Sequence, residues 1–158
     1  MKDSDALNKV AAFHSTFQHP IQTSPGIPSE QRCKLRVSLI AEELKEFEQA
    51  IKDKNIVEVA DALCDLQYVL AGAILEFGLG EKFSELFEEV HRSNMSKVCK
   101  TIDEANLTVE HYKKIENTES FIENIEGRFL VFRKSDNKTL KSINYSVAEL
   151  ASILMDKR

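Results

Sequence analysis

The sequence predicts an all-α fold: an antiparallel four-helix-type bundle that carries a small C-terminal β-hairpin plus helix. Three observations predict it. Long segments repeat their apolar residues at helical spacing, with only short breakers between them. All three prolines fall in a single stretch, "HPIQTSPGIP". Strand-forming residues gather in one late segment, "GRFLVFRKSDNKTLKSI".

The elements follow in order. Residues 4–18 form an amphipathic helix with Leu7, Val10, Ala11, His14 and Phe17 on one side. The proline segment is a loop. Ser29 caps a long helix that runs to Lys52, where "KDKN" breaks it. Asn55 caps the next helix, with Glu58 three residues later as in a capping box, and the glycines of "FGLGE" end it. Helices follow at 81–97 and 103–116. The hairpin is expected on either side of "SDNK", and Ser146 and Glu149 are expected to open a last helix. This gives a helical bundle over 1–116 and an appendage over 117–158.

Of 158 residues, 42% are apolar and 30% charged, an ordinary balance for one globular domain. A net charge of −5 without a basic block argues against duplex nucleic acid as a partner. It leaves room for a small phosphorylated ligand. Cys33, Cys64 and Cys99 are scattered, with no C-x-x-C pair, so neither a zinc site nor a disulfide framework is expected. There is no apolar leader, and the most apolar stretch, 56–75, contains three acids. A cytoplasmic location with no membrane span is the expectation.

Those three acids are the informative residues. Around the 55–78 helix, Glu58, Asp61 and Asp65 fall within an arc of about 60°, while the other faces hold Val59, Leu63, Cys64, Leu66, Leu70 and Ile74. A helix apolar all round is normally buried. Carboxylates placed there must be neutralised, paired or bound to a metal. In the preceding helix Glu43 interrupts the apolar stripe Leu39, Ile40, Leu44, Phe47, Ala50 and Ile51. Glu46 stands at the stripe's edge, Glu42 points further out, and Arg36 lies two turns earlier on the same line. The apolar face of 81–97 extends towards Asn94 and Lys97, with His91 at its margin. Two helices thus offer acids, and cations and an amide lie on a shared interior side. Hard carboxylate oxygens without inward His or Cys suit Mg²⁺ or Mn²⁺. With Lys97 and Arg36 beside them they suit a polyphosphate.

Plainer readings exist. A lone E-x-x-E is usually a solvated face. His14 and His91 read as packed or surface residues, and Cys64 as a small core residue. The aromatics Phe13, Phe17, Phe47, Phe83, Phe87 and Tyr68 have core spacing. A di-metal carboxylate bundle would need a second partner for Glu88-x-x-His91. A helical oligomerisation module without chemistry leaves the acids of the most apolar helix unexplained.

The blocks "LIAEELKEFEQAI", "EVADALCDLQYVLAGAILEFGL" and "EEVHRSNMSK" resemble the MazG-like and phosphoribosyl-ATP pyrophosphohydrolase-like superfamily of all-α nucleoside triphosphate pyrophosphohydrolases. The resemblance covers about residues 10–97. It implies E-x-x-E at Glu43 and Glu46, and E-x-x-D at Glu58 and Asp61 with Asp65 one turn on, together binding Mg²⁺. In relatives whose aspartate aligns with Asp65, Ala62 stands where the glutamate would be. It also implies nucleotide contacts from Asn94 and Lys97, hydrolysis of a nucleoside triphosphate at the α–β bond, and a homodimer or larger assembly. On that reading Glu46 and Glu43 are catalytic, and Arg36, Asn94 and Lys97 bind substrate.

Overall fold

The computed structural model describes residues 4–155. Its elements run α1 (Ala6–Thr16), α2 (Glu30–Lys52), α3 (Ile56–Glu76), a short 3₁₀ turn (Gly80–Lys82), α4 (Phe83–Met95), α5 (Ile102–Glu116), β1 (Ser120–Ile125), β2 (Arg128–Arg133) and α6 (Leu150–Met155). The chain is mostly helical, as expected. It divides into two compact units, residues 4–83 and 84–155. The break falls at the start of α4 and not near residue 116, because α5 packs on the hairpin and belongs with it.

In the first unit α2 and α3 are antiparallel neighbours joined by a three-residue turn, and α1 lies against α3. Asn55 forms the predicted cap: its side chain accepts from the amides of Val57 and Glu58. Ser29 takes the capping position of α2 with no side-chain bond to the helix. Val10, Ala71 and Leu75 form a small core under Ala6, Leu7 and Ala11. The proline loop is fastened to the end of α3, with Gln22 N–H donating to Leu75 O (3.0 Å) and Gly26 N–H to Phe77 O (3.0 Å). Gly78 sits at φ 67°, and a Cβ there would stand 1.9 Å from Ser24 O, so only glycine fits this crossing.

In the second unit Cys99, Ala105, Val131 and Leu140 form the core, joined by Val109, Tyr112, Ile122 and Phe129. The hairpin differs from the expectation. β2 is the predicted "RFLVFR", but its partner is the upstream "SFIENI", with Ser120 opposite Arg133 and Ile125 opposite Arg128. Glu126 (φ 51°) and Gly127 (φ 78°) make the two-residue turn, both left-handed as a tight hairpin requires. "SDNK" is a turn as well, but beyond it only Thr139 bridges back to Phe132. The last helix also starts later than expected, at Leu150. Ser146 does not cap it; its hydroxyl accepts from Arg92 Nη1 (2.9 Å).

The tail before α6 is fastened by buried polar groups on α5. Ser142 donates to the Glu104 carboxylate, and Thr108 Oγ1 accepts from Ile143 N–H (3.1 Å). Burial pushes the Glu104 carboxyl up, but bonds from Ser142, Lys100 N–H and Asn144 outweigh it and hold it below the ordinary value. No single helix among the described residues is long and apolar enough to cross a membrane.

Candidate active site

The antiparallel pairing of α2 and α3 sets the site. Arg32 and Arg36 of α2 meet Glu76 of α3, and Arg36 lies over Gly72. These rungs fix the register, and continuing it by whole turns brings Glu43 opposite Asp65. Glu43 is half-buried, whereas Glu46, Glu58, Asp61 and Asp65 are exposed. The Glu43 carboxyl is pushed above its ordinary value, first by burial and then by the negative charges of Asp65, Glu46, Glu42 and Asp61. Negative charges of both helices thus act on Glu43. Glu58, a turn nearer the start of α3, is outside that group.

The donor set is all carboxylate oxygen, and its like charges repel. Both features fit a hard divalent cation such as Mg²⁺. In their present rotamers no three His, Cys, Asp or Glu side chains among the described residues are gathered closely enough to hold an ion.

The sequence places Arg36 beside the acids as a cation for phosphate. Instead it is buried, 7% exposed, and paired with Glu76, itself 1% exposed. Arg32 grips the same carboxylate, with Nε 3.0 Å from Oε2. Burial pushes Glu76 up, but the two guanidinium groups outweigh it and hold the carboxyl below its ordinary value. Arg36 Nη2 also donates to His14 Nε2 (3.2 Å). His14 Nδ1 must then carry the proton and donate it to Pro20 O (2.9 Å), so the ring is neutral. Its lowered pKa agrees, caused first by burial and reinforced by Arg36. His14 is thus a core residue, as its spacing suggests. Glu76 was missed altogether. Its signal was an acid inside "GAILEFG", at a helix C-terminus where negative charge is unfavourable.

Asn94 and Lys97 lie in the second unit. α4 ends at Met95, so Lys97 stands just past the helix and not on its extended face. Its Nζ donates to Asn94 Oδ1 (2.7 Å), which joins the two predicted substrate residues into one polar pair. His91 is exposed.

The apolar girth of α3 is only partly covered. Leu63 and Leu70 remain 49% and 45% exposed, and Leu44 of α2 54%.

The family model for phosphoribosyl-ATP pyrophosphohydrolase matches residues 10–94, which include α2, α3 and every acid of the cluster. The chain is also similar to the uncharacterized protein L479 of Acanthamoeba polyphaga mimivirus, at 30% identity over 92% of this chain and 94% of that protein. This chain belongs to the phosphoribosyl-ATP pyrophosphohydrolase family, within the MazG-like superfamily of hydrolases that cleave nucleotide phosphoanhydride bonds.

Proposed function

We propose that this protein hydrolyses a nucleoside triphosphate at the α–β bond, releasing a nucleoside monophosphate and pyrophosphate, and that the reaction depends on Mg²⁺. The observation that carries the proposal is the α2–α3 register, which brings half-buried Glu43 opposite Asp65 within the residues that the family model matches. Held acids of one sign make sense where a cation and a polyphosphate share the space between them.

In this reading Glu43, Glu46, Glu58, Asp61 and Asp65 hold the metal. When bound, Mg²⁺, or Mn²⁺ in its place, neutralises phosphate oxygens and acidifies a water. Glu46, at the edge of the stripe and exposed, orients the attacking water and takes its proton. Glu43 is the half-buried member of the set and acts with Glu46 in catalysis. Lys97 and Asn94, hydrogen-bonded to each other in the second unit, are proposed as phosphate and sugar ligands on the strength of the family resemblance. The working form is a homo-oligomer. A second copy covers the exposed Leu44, Leu63 and Leu70.

The test is a panel of nucleoside triphosphates with Mg²⁺, with both products identified. Pyrophosphate and monophosphate are expected. Orthophosphate and diphosphate would mean β–γ cleavage, and no turnover of any nucleotide would favour a non-catalytic helical module. Wild-type turnover by a folded Glu43→Gln protein would remove Glu43 from the site.

A further inference from the structure

A cavity of about 340 Å³ opens in the second unit, between the C-terminal half of α5 and the segment that follows Leu140. His111 and Tyr112 line it from α5, and Lys141, Ser142, Ile143 and Tyr145 from that segment. Its walls are tied in place. Tyr112 Oη accepts from Lys141 N–H (3.2 Å), Thr108 Oγ1 accepts from Ile143 N–H (3.1 Å), and Tyr145 N–H donates to Ser142 O (2.9 Å). The Tyr145 hydroxyl pairs with Ser93 Oγ of α4 (2.7 Å). None of the lining residues is acidic, although the whole chain carries a net charge of −5.

The polar groups of the cavity that lack partners are donors. Ser142 Oγ is occupied on both sides: it donates to the Glu104 carboxylate and accepts from Asn144 N–H (2.9 Å). The Lys141 ammonium pairs with no carboxylate among the described residues and lies over the Tyr145 ring, 4.5 Å from its centroid. That contact holds the charge at the cavity wall. The Tyr112 oxygen receives the Lys141 amide, and its own O–H has no acceptor among the described residues. His111 meets the Tyr112 ring edge-on, with centroids 5.6 Å apart and planes at 86°, and its ring N–H likewise has no acceptor among them. Three side chains thus present donors to one space, and one of them is a cation.

We propose that this cavity binds a small phosphate-bearing anion, at a site that shares no residue with the acid cluster and needs no metal. A phosphate group has three terminal oxygens for donors on three side chains, where a carboxylate has two. The Lys141 ammonium supplies the compact charge, and bonds that it donates to an ionised oxygen are stronger than neutral ones. The Tyr145 ring and Ile143 exclude water on one side, which strengthens the attraction. A bare phosphate does not fill the cavity, so the body of a phosphomonoester lies against Ile143 and Tyr145.

The test uses the whole chain in EDTA, which keeps divalent cations from the acid cluster. Isotope-labelled protein is followed by NMR while it is titrated with inorganic phosphate, ribose 5-phosphate or a nucleoside monophosphate, and with acetate at matched ionic strength. Saturable shifts are expected at the amides of His111, Tyr112 and residues 141–145 with the phosphates and not with acetate. Lys141 is exposed, so Lys141→Met keeps the stem, removes the charge and weakens binding about tenfold or more. His111→Ala, also at an exposed position, is the second variant should the first not fold, and it weakens binding about threefold. Tighter binding of the monophosphate makes the occupant a nucleotide, and equal affinity makes it the phosphate group alone; both uphold the site. Absence of saturable shifts at these amides, an equal response to acetate, or unchanged affinity in the folded variants overturns it. Pyrophosphate release has no part in this readout, so failure of the proposed hydrolysis leaves the anion site standing.

Discussion

A Cβ built on Gly72 would stand 2.5 Å from Nη1 of Arg36 and 3.1 Å from Nε2 of His14. Glycine in a helix interior costs up to about 1 kcal/mol relative to alanine, so its presence in α3 needs a reason. The reason is the buried guanidinium laid across the helix backbone at this rung. Arginine tips usually swing aside, but Glu76 and His14 both hold this one. Gly72→Ala is therefore expected to destabilise the protein by about 1–3 kcal/mol through overpacking, despite the gain in helix propensity. Urea unfolding checks it. A rise in stability would mean that Arg36 moves away without cost.

Glu76 is the anion that makes Arg36 tolerable in the interior. Removing one member of a buried pair leaves an uncompensated charge and costs about 3–5 kcal/mol. Glu76→Gln is expected to fall in that range, a large share of the roughly 5–15 kcal/mol that stabilises a typical domain. Arg32→Ala should cost about 1 kcal/mol or less, because Arg32 is 27% exposed and Glu76 would keep Arg36. Equal losses in the two variants, measured by denaturant unfolding, would contradict the assignment of Arg36 as the essential partner.

The same group sets a pH dependence. Glu76 titrates below its ordinary value in the folded protein, so as pH falls the unfolded chain takes up that proton first. The stabilisation is complete above the ordinary carboxylate range and is lost as pH falls through the lowered folded value. His14 is also lowered from 6.5, first by burial, and again the unfolded chain binds the proton first. Acidification should therefore lower Tm in two stages, the first beginning below about pH 6.5. In His14→Gln the first stage should disappear while the second remains. A Tm that stays flat down to pH 5 in the wild type would refute the neutral buried imidazole.

Local signals in the sequence were reliable where the structure depends on neighbours in the chain. The Asn55 cap is one such case, because its acceptor serves amides two and three residues away. Glu43 is another, because its place in the apolar stripe follows from helical period alone. Glu76 was invisible for the opposite reason. Its partners are 44 and 40 residues distant, and no periodicity links them. Arg36 was assigned to phosphate for want of that partner.

The hairpin shows how a stronger local signal can displace the true one. Asp136–Asn137 carries better turn chemistry than Glu126–Gly127, and Asn137 does adopt a left-handed φ of 56°. The ladder nonetheless forms across Glu126–Gly127, where "SFIENI" meets "RFLVFR" over six residue pairs. Glu126 bears the conformational cost, since a left-handed residue other than glycine is disfavoured by about 1–2 kcal/mol and asparagine by less. Glu126→Asn creates the preferred Asn-Gly turn and is expected to stabilise the second unit by about 0.5–1 kcal/mol. Gly127→Ala, at φ 78°, should destabilise by about 1 kcal/mol. Thermal unfolding of the two variants should move in opposite directions, and a shift of the same sign in both would argue against this turn.

The acid cluster makes a prediction that separates its geometry from its chemistry. Glu43 is half-buried and crowded by carboxylates, so its ionised form is held at a cost when no cation is bound. Glu43→Gln keeps the shape and removes the charge. In chelator the variant should match or exceed the wild type in Tm, while pyrophosphate release falls by a factor on the order of 10² or more. Millimolar Mg²⁺ should raise the Tm of the wild type, since a ligand that binds only the folded state stabilises it by mass action. The variant should gain much less. Equal Mg²⁺ stabilisation of both proteins would place the ion elsewhere, and a clear loss of stability in chelator would show that Glu43 is paired with a cation of the protein and is not repelled by its neighbours.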